Sequence, residues 1–323
     1  MSVTVETYTT RAEWLAAREG IGGSMAGSVL GLSRYESPLS CFARCHGRLD
    51  PIEDNEAMFW GRELEAVVMK RIREVAGQAV GLDTFERDGG FVIRRNVERP
   101  HLFVTVDGLC SVPSLGLGVV EAKTCGSWMA PQWEDEKIPD AYRAQVEHAL
   151  AVLGPEYRFG LIGCLIGGQR FVWRLIERDE ERIAAHVAAL DRFWECVEAD
   201  DASTLIDGHT ATERVLNEAH DPADVAGFVD LNPNAAAEVV LETYRAAEAA
   251  IAAATESKRA AANMLKTLIG EHESALCGPH AIRWSSTNTR RLDSKRLKAE
   301  EPEVYDRFLK SSTGRRFTIK WGD

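Results

Sequence analysis

The strongest constraint on the fold is an alternation of strand-like and helix-like segments through residues 1–203. Short apolar runs bounded by turn residues predict strands at 90–94, 102–107, 118–124, 158–166 and 170–176. Apolar residues at a helical period predict longer helices at 56–76, 139–153 and 179–197. Mixed strands with helices around them predict one α/β domain, built as a central mixed β-sheet flanked by helices.

The remainder of the chain has a different character. Residues 204–234 contain the turn-forming pairs Asp207-Gly208 and Asn232-Pro233, which are typical of a polar connector. Residues 235–269 are Ala-rich and charged, and they predict a long helical arm that needs a partner surface. Further strands are predicted at 281–284 and 315–321, so residues 235–323 are expected to be a helical arm followed by a small β-rich tail.

The charge distribution is uneven. The formal net charge of −12 argues against a protein that coats DNA through bulk charge. Residues 281–323 carry eleven Lys and Arg against six Asp and Glu, a net of +5, which leaves −17 on the preceding 280 residues. This basic tail predicts contact with nucleic acid or an acidic partner, or else it is an ordinary solvated face of mixed charge.

No run approaches the roughly 18 apolar residues that a membrane helix needs, and the N-terminal sequence has no signal-peptide pattern. We therefore expect a cytoplasmic protein without a membrane segment. The seven cysteines are scattered, which is typical of reduced thiols in a cytosol. Cys41 and Cys45 are spaced as small residues of one helix, and no second ligand pair follows them.

One group of polar residues falls at the ends of apolar strands. Asp107 ends one predicted strand, and Glu121 and Lys123 lie on the next. Because strand side chains alternate, Glu121 and Lys123 share a face. If the two strands are neighbours, Asp107 and Glu121 converge on one hard cation such as Mg²⁺, with Lys123 beside the water that it polarises. The alternative is a Glu–Lys pair on a solvent-facing strand.

Two predicted helices flank this group. Glu65 lies close to the apolar stripe of helix 56–76, where an unpaired carboxylate needs a cation or water. Tyr142 and Gln145 share one face of helix 139–153, and Gln145 could orient a water or Lys123. Taken alone, each of these residues is better explained as an ordinary surface residue than as a site residue.

In order, these pieces resemble the YqaJ-type viral recombinases, which are related to phage lambda exonuclease within the PD-(D/E)XK nucleases. The resemblance covers roughly residues 11–196. The matching stretches are Gly22-Gly-Ser24, Gly31-Leu-Ser-Arg-Tyr-Glu-Ser-Pro38, Phe59-Trp-Gly-Arg-Glu-Leu-Glu65, Val106-Asp-Gly108, Val120-Glu-Ala-Lys-Thr124 and Ile138-Pro-Asp-Ala-Tyr-Arg-Ala-Gln-Val146.

The resemblance implies a Mg²⁺-dependent exonuclease, with Mn²⁺ as a substitute, that digests duplex DNA ends from 5′ to 3′ and leaves a 3′ single strand. It also implies work beside a single-strand annealing protein in phage recombination, in the cytoplasm of a bacterial host. Relatives of the lambda type form homo-oligomeric rings around DNA, so a ring is expected here too. An endonuclease on the same core, or a non-catalytic module that binds DNA ends or protein, is the alternative.

Carried over by position, the resemblance gives roles to individual residues. Asp107 and Glu121 are expected to be metal ligands, with Glu65 as an additional helix carboxylate. Lys123 is expected to be the catalytic lysine and Gln145 the motif glutamine. The residues expected to bind the 5′-phosphate and the DNA are Arg18, Ser24, Arg34 and Tyr142. The glycine pair before Ser24 is either part of a phosphate cradle or a plain turn with Ser24 as the N-cap.

The sequence departs from the family pattern in three respects. Met25 stands where an acidic residue is common, and Glu147 stands where a second Gln is common, so Glu147 is expected to face away from the metal. Related nucleases hold an iron–sulfur cluster with one upstream and three downstream cysteines. Here two cysteines lie upstream and only Cys164 and Cys196 lie downstream, so we expect no iron–sulfur cluster.

Overall fold

The structure is a computed structural model that describes residues 3–50, 52–88, 90–220, 227–311 and 316–322. The chain divides into two compact units, residues 1–220 and residues 221–323. Among the described residues, no helix combines the length and the apolar character needed to cross a bilayer.

Ten strands and eleven α-helices make up the described chain. The strands are β1 (Val3–Tyr8), β2 (Thr84–Arg87), β3 (Phe91–Asn96), β4 (Phe103–Val104), β5 (Gly108–Val112), β6 (Gly116–Cys125), β7 (Tyr157–Ile166), β8 (Arg170–Glu177), β9 (Ser274–Cys277) and β10 (His280–Arg283). The helices are α1 (Arg11–Ala16), α2 (Gly23–Val29), α3 (Pro38–Cys45), α4 (Glu56–Arg71), α5 (Gly77–Val80), α6 (Asp140–Leu153), α7 (Glu180–Ala199), α8 (Thr210–Glu218), α9 (Ala235–Ile269), α10 (Ser294–Glu300) and α11 (Pro302–Phe308). A π-turn at Ile72–Ala76 follows α4, and a 3₁₀ helix at Ser127–Trp133 follows β6.

The first unit is built on a five-stranded mixed sheet in the order β2-β5-β6-β7-β8. Strands β6 and β7 are parallel and the other pairs are antiparallel. Helices pack on the sheet, which confirms the predicted mixed α/β core. Gly167 and Gly168, with φ of +60° and +74°, form the tight turn between β7 and β8.

Each face of the sheet carries its own apolar core. Val119 belongs to the cluster that includes α6, whereas the next residue, Val120, belongs to the cluster under α4. The close contact with α6 depends on glycine, because a Cβ at Gly160 of β7 would lie 2.2 Å from Cγ1 of Val146. Alternation along β6 therefore directs the side of the strand that carries Glu121 and Lys123 towards α6.

Local sequence determines where helix α3 begins. Helix α3 begins at Pro38, directly after the N-cap residue Ser37. The Ser37 hydroxyl accepts a hydrogen bond from the Ser40 N–H, and the Ser40 hydroxyl accepts one from the Ser37 N–H. These reciprocal bonds satisfy orphan donors at the helix start and fix where the helix begins.

The strand predicted at 102–107 is divided in the structure. Residues Phe103–Val104 form β4 in a separate three-stranded sheet with β1 and β3, and the chain then enters β5 at Gly108. Neither β1 nor β2 was predicted, because both are short and rich in polar or charged residues. Asp107 consequently lies just before a strand rather than at the end of one.

The predicted connector contains a helix. Helix α8 packs on α3 and buries Ala211 and Val215, so the first unit extends to residue 220 instead of ending at 203. Residues 221–226 of that connector lie outside the described residues. The prediction missed α8 because its apolar stripe is only a few residues long.

The second unit contains the predicted long helix α9 and the small antiparallel pair β9–β10. The strand predicted at 315–321 is absent from residues 316–322, while Arg315 lies outside the described residues. Instead, the Trp321 indole donates to Glu248 of α9 at 3.1 Å, and the Arg245 guanidinium stacks on its ring at 4.4 Å. A period-two pattern produces a strand only where a partner strand can pair with it, and here the tail contacts a helix.

Two histidines are buried side by side in the first unit. His148 of α6 donates from Nε2 to the Phe103 carbonyl at 2.9 Å, and His186 Nε2 lies 3.4 Å from His148 Nδ1. Burial lowers the pKa of His148 to about 4 and that of His186 to about 3. Both rings are therefore neutral at pH 7, and at that pH either ring would have to be exposed to solvent before it could become charged.

We expect this pair to make the first unit acid-labile. The pKa of each histidine is lower in the folded than in the unfolded state. The contribution of each neutral ring to the free energy of unfolding is therefore fully present above about pH 6.5 and is lost as the pH falls towards 4. His186→Gln should flatten the pH dependence of the unfolding free energy by about 1.4 kcal/mol per pH unit in that window. Denaturant unfolding between pH 4 and 7 measures the slope. His220→Gln, which changes an exposed histidine, should leave the slope intact, and an unchanged slope in His186→Gln would contradict the prediction.

Candidate active site

The pairing of β5 with β6 brings the predicted acidic residues together. Gly108 pairs with Val120, so Asp107 lies opposite Glu121 at the edge of the ladder. The Asp107 carboxylate accepts a hydrogen bond from the Ala122 N–H at 2.8 Å. The predicted strand 102–107 is not the neighbour of β6, because β4 lies in the other sheet, and it is β5, which begins directly after Asp107, that brings Asp107 next to Glu121.

Glu121, Lys123 and Gln145 form a closed triangle of hydrogen bonds, which we call the Glu–Lys–Gln triangle. The Lys123 ammonium lies 2.6 Å from Glu121 Oε1 and donates to Gln145 Oε1 at 2.8 Å. The Gln145 amide nitrogen donates to the same Glu121 oxygen at 2.6 Å. Because lysine only donates and carboxylate only accepts, the partners fix the orientation of the amide.

Lys123 is held in its charged form. Burial disfavours its charge, but the carboxylates of Glu121 and Asp107 outweigh burial, and the pKa of Lys123 is raised. Its ammonium also lies 5.4 Å from the ring centroid of Tyr142, one turn before Gln145 on α6. Lys123 is thus a fixed positive charge at neutral pH and not a proton acceptor.

Asp107 is the electrostatically unsatisfied member of the site. Burial, and then repulsion from Glu121, raise the pKa of Asp107 to about 8. Lys123 and the Ala122 N–H act in the opposite direction, while Glu65 adds to the repulsion. Two close carboxylates share one ammonium here, and that arrangement favours an additional cation.

Glu65 projects from α4 towards this group and is paired with a residue that the sequence did not reveal. Its carboxylate lies 3.0 Å from Nη2 of Arg87, the last residue of β2. One turn further along α4, Met69 packs over Gly108, where a Cβ would lie 2.6 Å from Met69 Cε. The missing side chain at Gly108 lets α4 approach β5 and carries Glu65 towards Asp107.

The donor set fits a divalent cation with oxygen ligands. Among the described residues, no three His, Cys, Asp or Glu side chains are grouped closely enough to hold a metal by themselves. Mg²⁺ does not need such a cage, because it is usually bound by one or two carboxylates together with waters and substrate phosphates. Asp107 and Glu121 can supply those carboxylates, and the raised pKa of Asp107 shows a site short of positive charge.

The residues expected at the 5′-phosphate are not joined by any hydrogen bond in the described part of the chain. Arg18 is partly buried, with its guanidinium 4.5 Å from the Trp14 ring centroid, and burial lowers its pKa. It lines a cavity of about 1020 Å³ together with Arg44, Arg95 and His101. Ser24 is exposed in the first turn of α2, and the N-cap is Gly22, so the interpretation of Ser24 as the cap is wrong.

Two further expectations concern residues around the triangle. Glu147 forms an ion pair with Arg182 of α7 at 2.7 Å, so it faces away from the Glu–Lys–Gln triangle as expected. Arg34 is exposed, and its guanidinium lies 4.3 Å from the ring centroid of Trp128. Trp128 follows β6 directly and was not predicted as a site residue, because a lone aromatic after a strand carries no distinctive sequence signal.

The chain is similar in sequence to known proteins. Residues 13–156 match the family model of the YqaJ-like viral recombinase domain. The uncharacterized protein YqaJ of Bacillus subtilis (strain 168) is 31% identical over 313 residues, which cover 96% of this chain and 94% of that protein.

Two solved exonuclease structures are also similar. An alkaline exonuclease (LHK-Exo) from Laribacter hongkongensis matches with a TM-score of 0.47 and 22% identity, covering 58% of this chain and 93% of its own. A phage related exonuclease from Haemophilus somnus 129PT matches with a TM-score of 0.39 and 16% identity, covering 56% and 96% respectively. The near full-length similarity to the Bacillus protein and the domain match lead to one conclusion: the chain belongs to the YqaJ-like viral recombinase family.

Proposed function

We propose that this protein is a Mg²⁺-dependent exonuclease that degrades duplex DNA from its ends, in the 5′ to 3′ direction, during phage-type recombination. The observation that supports it most is the Lys123 ammonium, fixed between Glu121 and Gln145 beside the carboxylate of Asp107. A rigid cation next to a two-carboxylate metal site is the arrangement that hydrolysis of a phosphodiester requires. Mn²⁺ can take the place of Mg²⁺, since both accept oxygen ligands.

In this proposal Asp107 and Glu121 hold the metal, with Glu65 contributing through water. The bound metal supplies Lewis-acid activation of the attacking water and neutralises charge on the phosphate. Lys123 has three N–H donors, and Glu121 and Gln145 take two of them. The third is directed to the attacking water or to the pentacovalent phosphate, and Gln145 keeps the ammonium in place.

We assign the polarity of digestion to the cavity that Arg18 lines. Arg18 has no carboxylate partner in the described part of the chain and is fixed against Trp14, so it can bind a terminal 5′-phosphate. We place the action of the enzyme on DNA ends in the bacterial cytoplasm. We also propose that a single-strand annealing protein takes up the 3′ strand. We further propose that the protein forms a ring-shaped homo-oligomer that encloses the duplex.

Removing the lysine should abolish hydrolysis while leaving the fold intact. We expect Lys123→Ala to lower the cleavage rate of linear duplex with Mg²⁺ on the order of a hundredfold or more, because a fixed transition-state charge is lost. Lys137→Ala, which changes an exposed lysine, is the matched control and should retain wild-type rates. End-labelled duplex reports rate and polarity, and covalently closed circular DNA should stay uncut. Full activity of Lys123→Ala, or cutting of the circle, would refute the proposal.

Metal binding should release a proton from Asp107. Its pKa of about 8 means that the carboxyl is mostly protonated at pH 7 without metal, whereas a metal ligand must be ionised. Affinity for Mn²⁺ should therefore rise by about tenfold per pH unit up to pH 8 and then level off. Calorimetry at pH 7 in buffers of different ionisation enthalpy should show close to one released proton. Asp107→Asn should abolish both the pH dependence of the Mn²⁺ affinity and the proton release. A Mn²⁺ affinity that does not change between pH 6 and 8 would contradict the assignment of Asp107 as a metal ligand.

A separate variant tests the end-binding role. Arg18→Ala should reduce the ratio of cleavage rates on 5′-phosphorylated and 5′-hydroxyl duplexes to near unity, because the charge-assisted bond to the phosphate is lost. Arg73→Ala removes an exposed arginine elsewhere in the first unit and should preserve the ratio. An unchanged preference in Arg18→Ala would exclude Arg18 as the phosphate ligand.

A further inference from the structure

An exposed cluster of two aromatic rings and one arginine lies beside the Glu–Lys–Gln triangle, and the hydrolytic chemistry does not use it. The Arg34 guanidinium carbon lies 4.3 Å from the ring centroid of Trp128 and 5.1 Å from that of Tyr35. Trp128 is 54% exposed and Tyr35 is 67% exposed. Contiguous exposed aromatic surface of this kind is a candidate site for binding a ligand. We call these three residues the Trp128 platform.

The platform is continuous with the site. Trp128 lies five residues after Lys123, in the 3₁₀ helix that begins where β6 ends. On the other side, Tyr35 is close enough to Tyr142 to influence the pKa of that residue, which burial raises. Tyr142 in turn lies under the Lys123 ammonium. A phosphodiester at Lys123 would therefore have a neighbouring nucleotide within reach of the platform.

The positions of the platform residues are fixed before any ligand arrives. The indole of Trp128 lies tightly against Gly126, where a Cβ would be 2.5 Å from Trp128 Nε1. The 3₁₀ helix is anchored by the buried side chains of Met129 and Trp133. The Ser33 hydroxyl accepts hydrogen bonds from the N–H groups of Tyr35 and Glu36, which holds the opposite loop. Such preorganisation lowers the entropic cost of binding.

The charge of the platform selects the occupant. Within the described residues no carboxylate pairs with Arg34, whereas Arg44 is paired with Glu36 and Arg87 with Glu65. An uncompensated guanidinium between aromatic faces matches a nucleotide, because it offers a π-surface to the base and a cation to its phosphate. A base pair inside the duplex cannot use such a surface, because both of its faces are already stacked, so the platform can be reached only by a base at the end of the duplex.

We propose that the Trp128 platform stacks one unpaired nucleobase of the strand being cut, adjacent to the scissile phosphate. The inference rests on the proposed exonuclease function and specifies how its substrate is held: the terminal bases are separated and one is captured. Base–aromatic stacking strengthens binding by roughly tenfold or more, whatever the sequence of the DNA.

The test uses duplex DNA with 2-aminopurine at the first, second or third nucleotide of the 5′ strand, bound to the full chain carrying Lys123→Ala so that the DNA stays intact. 2-Aminopurine is quenched by its neighbours in the duplex and brightens when it is unpaired and unstacked, so stacking on the platform should keep one unpaired position quenched while other unpaired positions brighten. Trp128→Ala in the same background should remove the quenching and weaken binding on the order of tenfold. Trp128→Phe should retain most of the quenching and most of the binding affinity, because phenylalanine keeps an aromatic ring on which the base can stack.

Two further variants separate stacking from loss of folding. Gly126→Ala keeps the tryptophan but displaces its ring, and its backbone conformation suits any residue, so it should reduce the quenching without unfolding the domain. Trp284→Ala removes another exposed tryptophan with a cation near its ring, in the second unit, and should leave the quenching unchanged. Quenching that persists in Trp128→Ala would overturn the platform.

Cleavage measured in parallel distinguishes this proposal from the proposed function. Cleavage by the wild-type protein, with quenching that does not depend on Trp128, would refute the platform alone. Quenching that depends on Trp128, without any cleavage of linear duplex in Mg²⁺, would refute the nuclease and leave a site for an unpaired base.

Discussion

The hydrogen-bonded triangle of Glu121, Lys123 and Gln145 is the interaction on which the rest of the site depends. It requires two side chains from one face of β6 and one from α6, so the strand alternation and the helix position must both be correct. It also requires space: a Cβ at Gly23 would lie 3.2 Å from Gln145 Cγ, so the small residue at the start of α2 leaves room for the glutamine. The closely packed interior therefore serves to hold one ammonium group in place.

The same packing leaves the site with an electrostatic deficit. Asp107 and Glu121 lie together with a single lysine, and the pKa of Asp107 rises to about 8 because its carboxylate is buried and, in addition, is repelled by Glu121. A chain selected only for stability would replace Asp107 with a neutral residue. Local rules are typically broken in this way at functional sites, and the proposed metal ion would remove the defect.

The sequence predicted those parts of the site that depend on local periodicity. Alternation along one strand placed Glu121 and Lys123 on a common face, and helical spacing placed Tyr142 and Gln145 together. The partner of Glu65 could not be predicted, because Arg87 lies on a four-residue strand whose polar sequence has no strand signal. The strand expected at 315–321 failed for a related reason, since pairing between distant segments decides whether an alternating pattern becomes a strand.

The acidic charge of the chain, −12 overall, acquires a specific meaning from the ion pairs around the site. Carboxylates neutralise most nearby arginines, as Glu36 does for Arg44 and Glu65 does for Arg87. Arg18 and Arg34 are held instead against aromatic rings, which orient a guanidinium without cancelling its charge. An acidic protein organised in this way repels the duplex over most of its surface and attracts it at a few fixed cations. In the proposed function such a protein gains few counterion-release contacts, so it would hold DNA through the terminal phosphate, the unpaired base and the metal-bound phosphate rather than along the length of the duplex.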